Sequence, residues 1–279
     1  MKTKKMIVTI VFGLLALIVA QILSQVITSV LLVVKVPEFI CNMCAGILYV
    51  VIAFIFVKLL CEKYIKEDMS SYYIPKFQVK WKWIVIAIAL PVLVTVCYLF
   101  LNGSIKENTM DLNDKLTAVS AGLFFTAFGA GFVEELVFRG IIMNVIEKRF
   151  NKKVAIIVPS LLFGVVHIIG MNFDALSCVL VVFAGTMVGI MFSLIASEEK
   201  SIWNSAIVHM IWNLVIIGDV LSIGTTMNES SLYSYILETD SFVLTGGEFG
   251  IESSVIAVAG YCLVSLFVLL TNQKKTVKH

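Results

Sequence analysis

The chain has 279 residues, of which 59% are hydrophobic and only 14% charged, and its mean hydropathy is +0.99. Soluble domains carry about 25% charged residues, so this composition excludes an ordinary soluble protein and indicates an integral membrane protein. The formal net charge of +2 gives no reason to expect a nucleic-acid partner.

The first predicted element is a membrane helix that follows a basic head containing Lys2, Lys4 and Lys5. Its apolar run is about twice as long as the core of a signal peptide, and no A-x-A cleavage pattern follows it. We therefore expect this helix to be retained.

Eight apolar spans follow one another along the chain, each close to the roughly 20 residues needed to cross a bilayer. We find no internal repeat and no low-complexity linker, so we predict one integral-membrane domain over residues 1–279. The predicted fold class is all-α, a polytopic bundle of about eight transmembrane helices. The spans are 6–34, 42–61, 83–101, 119–145, 154–170, 176–196, 202–218 and 251–271.

The distribution of basic residues predicts the orientation of the bundle. With the N-terminus inside, 17 of the 21 lysines and arginines lie in cytoplasmic segments, as the positive-inside rule requires. We therefore predict that both termini are cytoplasmic and that His279 is part of a solvated tail. Residues 219–250 form a long outer loop, for which an ordinary solvated loop is the default prediction and folding over the extracellular face the alternative.

The six cysteines lie in or beside apolar runs. Cys41 and Cys44 form a CxxC pattern, but no second pair and no nearby histidine completes a metal site. We interpret all six as small apolar side chains.

Five ionisable side chains inside the spans are functional candidates, because charge in a bilayer is costly. They are Glu134, Glu135, Arg139, His167 and His209, with Asn213 as a polar companion. At 1.5 Å per residue, Glu134, His167 and His209 lie roughly 16, 20 and 10 Å from the inner surface. We expect three helices to present them to one cavity, at mid-depth or somewhat closer to the cytoplasm.

Helical spacing separates their roles. Glu135 and Arg139 are four residues apart, which predicts a structural ion pair on one face. Glu134 is rotated by about 100° from Glu135 and so faces a different neighbour. His209 and Asn213 also share a face, and Phe163 shares a face with His167, beside which it forms an aromatic wall.

These groups fit the hydrolysis of a peptide bond. A glutamate would act as general base on water with one histidine beside it, and the second histidine and the asparagine side chain would donate hydrogen bonds to the oxyanion. Glu134, His167 and His209 equally fit a zinc site with an open position, although HExxH is absent. Helix-packing histidines and a transporter's proton relay are further alternatives. The residues by themselves do not choose among these.

Three short motifs occur in order on separate predicted helices: EELVFR (134–139), LLFGVVH (161–167) and SIWNSAIVHMIWN (201–213). They resemble the EExxxR, FxxxH and HxxxN/D motifs of the CPBP family, the CAAX-protease and bacteriocin-processing intramembrane peptidases, also called the Abi family. The resemblance covers residues 119–215, and no position departs from the motifs.

This resemblance implies an eight-helix bundle with a cavity open to the cytoplasm. Carried over to this chain, it implies that Glu134 and His167 activate water, while His209 and Asn213 stabilise the oxyanion. Glu135 and Arg139 match supporting positions of the motif. Members of the family are often named metalloproteases, so a zinc-dependent mechanism stays possible. The architecture of relatives instead favours a metal-independent mechanism that depends on the glutamate.

The resulting prediction is an intramembrane endopeptidase that cleaves a membrane-associated peptide or lipidated protein near the cytoplasmic face. The chain looks like a bacterial member of the family, and bacterial relatives are linked to bacteriocin or regulatory-peptide maturation and to self-immunity. The alternative is an immunity or binding protein that uses the same cavity without hydrolysis.

Overall fold

The computed structural model describes the backbone of residues 1–276 and the side chains of residues 1–271, and most of this chain is helical. The tail predicted at His279 lies outside the described residues. Each predicted span corresponds to a helix. The helices are α1 (Thr3–Val33), α2 (Glu38–Leu59), α3 (Trp81–Leu99), α4 (Leu112–Glu147), α5 (Lys152–Val166), α6 (Ala175–Glu199), α7 (Ile202–Ile216) and α8 (Val255–Thr276).

Within the described residues, five helices are long and apolar enough to cross a membrane: α1, α2, α3, α4 and α6. Helix α7 and residues 255–271 of α8 are shorter apolar helices. The prediction of an all-α, polytopic membrane bundle is confirmed. The number of crossings and the side of each terminus stay predictions.

Helix α4 is the centre of the bundle. Residues 135–146 are all buried, and α1, α2, α5 and α7 pack around them. The charged motif is therefore surrounded by protein rather than lipid, which removes most of the cost of placing charge in a membrane.

Helix α4 is not the regular α-helix predicted for residues 119–145. It contains π-helical turns over Ala121–Ala130 and Glu135–Ile142. A π-turn makes i→i+5 hydrogen bonds and so changes which side chains share a face, and such turns are frequent at functional sites.

Glycines allow α5 and α6 to pack in close contact. A Cβ on Gly164 would lie 2.5 Å from the carbonyl oxygen of Val182, and one on Gly185 would lie 2.7 Å from Cα of Gly164. Small residues let membrane helices approach in this way. This contact fixes the end of α5, where His167 follows.

A three-stranded sheet lies at one end of the bundle, formed by β1 (Gly103–Glu107), β2 (Leu221–Gly224) and β3 (Tyr233–Leu237). The strand order is β1-β3-β2, with β1 antiparallel and β2 parallel to β3. We call this end the sheet side.

The interpretation of residues 219–250 as an ordinary solvated loop is therefore wrong. Tyr235 and Leu237 are buried on one face of β3, and they belong to the same core as Trp83 and Trp212. The backbone of β3 is paired on both edges, so this segment is folded structure. The run LYSYIL (232–237), rich in aromatic and apolar residues, was the available signal.

A short segment connects the sheet to α8, and we call residues 246–254 the post-sheet segment. It contains one-turn helices at Gly247–Phe249 and Ile251–Ser253, so α8 begins at Val255 rather than at residue 251 as predicted. Gly250 has φ +96°, a conformation that favours glycine.

Candidate active site

One cavity of about 170 Å³ collects the polar side chains that the sequence singles out. Its wall includes Glu134 from α4, His167 from the end of α5, and His209 and Asn213 from α7. Phe249 of the post-sheet segment also lines it, so the cavity extends from the middle of the bundle towards the sheet side. This end is opposite to the basic segments, so with the predicted orientation the cavity extends away from the cytoplasm, contrary to the expected cytoplasmic opening.

Glu135 and Arg139 form a buried ion pair outside the wall of this cavity. Nη1 of Arg139 lies 2.8 Å from Oε1 of Glu135, and both side chains are almost fully buried. Nη2 of Arg139 donates to the carbonyl of Gly189 at 3.1 Å. The guanidinium also lies 4.6 Å from the ring centre of Phe163, a cation–π contact that contributes to its stabilisation.

The same carboxylate orients His209. Nδ1 of His209 lies 3.1 Å from Oε1 of Glu135. A carboxylate only accepts hydrogen bonds, so Nδ1 carries a hydrogen and Nε2 faces Glu134, whose Oε2 lies 3.7 Å away. The ring of Phe192 stacks on the imidazole with centroids 4.5 Å apart, which holds its plane.

Glu134 differs from Glu135 in its surroundings. The side chain of Glu134 is 21% exposed and contributes to the cavity wall, whereas that of Glu135 is 0% exposed. Of the two adjacent glutamates, Glu134 is therefore the one that water or a substrate can reach.

His167 is the residue that terminates α5. Its Nδ1 lies 2.6 Å from the carbonyl oxygen of Phe163, which fixes a hydrogen on Nδ1 and leaves Nε2 free. The rings of Phe163 and His167 lie 4.6 Å apart, and Phe249 approaches the imidazole edge-on at 6.1 Å.

Asn213 is held by the first π-helical turn of α4. Its Nδ2 donates to the carbonyl of Thr126 at 3.1 Å. The amide carries two hydrogens, so one remains for a ligand in the cavity.

Sequence reasoning missed Glu252 in the post-sheet segment, which lines the same cavity as Glu134 and His167. The available signal was that Glu252 is the single acidic residue in the span predicted at 251–271. It was overlooked because an acid at the end of a span is usually solvated.

The described side chains do not fit a zinc ion. Among them, no group of three or more His, Cys, Asp or Glu residues is close enough together to hold a metal. The hydrogen bonds at Nδ1 of His209 and His167 leave both Nε2 atoms open, so they do not by themselves argue against a metal.

Comparison with known proteins connects this cavity to a peptidase family. Residues 115–215 match the family model described as "Type II CAAX prenyl endopeptidase Rce1-like". The matched region contains all three motifs, from Glu134 to Asn213. The resemblance to CPBP peptidases inferred from the motifs is therefore confirmed.

A curated relative agrees with this assignment. The chain is 27% identical over 120 residues to the Bacillus subtilis (strain 168) protein named "Putative membrane peptidase YdiL". The match covers 43% of this chain and 46% of that relative, so the chain spans about half the length of the protein it matches. Together with the long apolar helices, these similarities identify an integral, multi-pass membrane protein.

Proposed function

The chain is Rce1-like over residues 115–215, and we propose that it is an intramembrane endopeptidase of the CPBP type. It hydrolyses a peptide bond in a membrane-associated peptide or lipidated protein, as in peptide maturation or self-immunity. The observation that carries this proposal is the single cavity lined by Glu134, His167, His209 and Asn213.

Glu134 acts as general base on the attacking water. Its carboxylate is accessible from the cavity, while its neighbour Glu135 is buried and paired. His167 orients the same water through Nε2, since its Nδ1 is held by the Phe163 carbonyl. The water adds to the carbonyl carbon as its proton passes to Glu134.

His209 and Asn213 stabilise the oxyanion that forms at the carbonyl oxygen. Asn213 has one amide hydrogen beyond the one it donates to Thr126. His209 must carry a hydrogen on Nε2 as well as on Nδ1, so it acts as an imidazolium. Donors placed where charge develops contribute most in a cavity that excludes water.

Collapse of the intermediate breaks the C–N bond, and Glu134 returns the proton to the departing amine. The products are a carboxylic acid and an amine, and Glu134 is again a carboxylate. No metal is needed for this sequence of proton transfers.

An apolar groove supports a membrane-associated substrate. A cavity of about 450 Å³ is lined by Leu14 and Leu17 of α1, and it reaches Glu134, Phe138 and His167. An apolar chain or lipid that lies between α1 and the end of α5 is therefore next to Glu134, the proposed base.

The test is cleavage of membrane-anchored peptides by the purified protein, read by mass spectrometry. Glu134→Gln keeps the size of the side chain but removes the base, so we expect kcat to fall by about 10²–10⁴. Glu238→Gln, at an exposed position of the sheet side, is the matched control and retains activity. Cleavage by Glu134→Gln at the wild-type rate contradicts the proposal and favours a non-catalytic binding protein.

A further inference from the structure

Glu252 is fixed in the cavity wall by a well-anchored turn. Its backbone carbonyl accepts from the hydroxyl of Tyr261 at 3.0 Å. The next residue, Ser253, donates to the carbonyl of Gly246 at 2.6 Å and is buried. The position of Glu252 is therefore set by packing against α8 and not by a loose loop.

The carboxylate of Glu252 shares the cavity with Glu134, His167 and His209. It is partly buried, it interacts with the Trp212 side chain, and the charges that act on it include those of both histidines and of Glu134. It is the one carboxylate in the wall that the proposed water activation leaves without a role.

The described part of the cavity wall contains no permanent cation, and its one positive charge in the proposed mechanism is the His209 imidazolium. Among the described residues of its wall there is no lysine and no arginine. Arg139, the nearby cation on α4, is engaged by Glu135 and does not line the cavity. Two carboxylates therefore face one partly enclosed space, in which charge interactions are stronger than in water.

A second cavity of about 260 Å³ continues this space beneath the sheet. It shares Ile217, Phe249 and Glu252 with the first and adds Asp219. Burial raises the pKa of the Asp219 carboxyl. Glu252 thus lines both cavities, where they share residues.

We propose that Glu252 selects substrates that carry a lysine or arginine side chain beside the bond to be cleaved. The inference rests on the proposed peptidase function and specifies its substrate class as a basic peptide. The ammonium or guanidinium group of such a residue pairs with Glu252 in the cavity, while Glu134 stays free to act on water. A neutral side chain supplies no cation to Glu252, and an acidic one is repelled.

The experiment uses the purified full chain in lipid vesicles and a library of peptides, each with an apolar anchor and randomised positions beyond it. Mass spectrometry identifies the cleaved bonds. For the wild type we expect lysine and arginine to exceed glutamine by about tenfold at one position flanking the cleaved bond. Equal cleavage with lysine, glutamine and glutamate at every flanking position overturns the inference but leaves the peptidase function standing.

Three variants sharpen this test. Glu252→Gln is expected to reduce the lysine-to-glutamine ratio to about one, mainly through a higher KM for the basic peptides. Glu252→Lys is expected to shift the preference towards glutamate. Glu229→Gln makes the same change in charge at an exposed position outside both cavities and keeps the wild-type ratio.

A basic preference that persists in Glu252→Gln overturns the assignment to Glu252. Absence of cleavage of every library peptide by the wild type overturns the proposed function together with this inference. The wild-type library result is decisive even where a variant fails to fold.

Discussion

Nδ1 of His209 lies 3.1 Å from Oε1 of Glu135, and that same oxygen accepts from Nη1 of Arg139 at 2.8 Å. One buried carboxylate therefore serves both the ion pair within α4 and the orientation of a histidine on α7. The sequence predicted the first contact alone. Glu135 is thus a positioning residue for the proposed active site as well as the partner of Arg139.

Substitutions of this pair separate stability from catalysis. Glu135→Gln leaves Arg139 buried without its counter-charge, so we expect a loss of about 3–5 kcal/mol in the free energy of unfolding. Adding Arg139→Met removes the unpaired cation and restores part of that stability. The double variant nevertheless keeps a low kcat, because His209 has lost its carboxylate partner.

Thermal unfolding in detergent and cleavage kinetics measure the two effects. The control is Lys58–Glu62, an exposed i,i+4 pair at 3.8 Å. Its double variant, Lys58→Met with Glu62→Gln, is expected to change stability by less than about 1 kcal/mol. Recovery of full activity by the Glu135→Gln/Arg139→Met protein would show that Glu135 has no positioning role.

Asn213 is predicted to act in the transition state. Asn213→Ala removes a donor to the oxyanion, so kcat is expected to fall by about 10²–10³ with little change in KM. Asn144→Ala is the matched control, because Asn144 is also a buried amide that donates to backbone carbonyls of α4 but does not line the cavity. That control is expected to lose stability and keep its kcat; equal losses of kcat in both variants would assign Asn213 to packing.

The close contact of α5 with α6 is predicted to determine the position of His167. Gly164→Ala places a Cβ 2.5 Å from the Val182 carbonyl, so the helices must separate, at a cost of about 1–3 kcal/mol. Gly224→Ala is the control, since no atom lies within 4 Å of its added Cβ. We expect Gly164→Ala to lower both the unfolding temperature and kcat, and a Gly164→Ala protein as stable as Gly224→Ala would contradict the packing argument.

Cleavage is predicted to be independent of divalent metals. Among the described residues, no three Asp, Glu, Cys or His side chains lie close enough together to bind one metal ion. Incubation with a chelator is therefore expected to leave kcat/KM unchanged, while a zinc peptidase in the same detergent loses its activity. If the chelator abolished cleavage and added zinc restored it, Glu134, His167 and His209 would be assigned as metal ligands instead.

The orientation of the bundle is predicted to place the sheet side outside the cell. Basic residues are concentrated at the opposite end, as the positive-inside rule requires of the cytoplasmic face. A membrane-impermeant maleimide should label Ser230→Cys in intact cells. It should label Lys152→Cys only after the cells have been permeabilised. Both positions are exposed, and labelling in the reverse order would invert the predicted topology.

Several features of this protein follow from its sequence by itself. Hydropathy locates the helices, because the length and apolarity needed to cross a bilayer are local properties. The i,i+4 spacing of Glu135 and Arg139 predicts their ion pair for the same reason, since both residues lie on one helix. The three motifs are equally local and identify the candidate residues from Glu134 to Asn213.

Other features depend on contacts between distant parts of the chain. His209 contacts Glu135 across 74 positions of sequence, and Tyr235 of the sheet belongs to the same core as Trp83. Neither contact leaves a periodic pattern, because each depends on how whole helices pack against one another. The position of Glu252 depends in the same way on the turn before α8. The sequence by itself determined the class of protein and the candidate residues of the proposed site, and only the tertiary structure showed that Glu135 also holds His209 and that Glu252 lines the cavity, because both depend on contacts between distant parts of the chain.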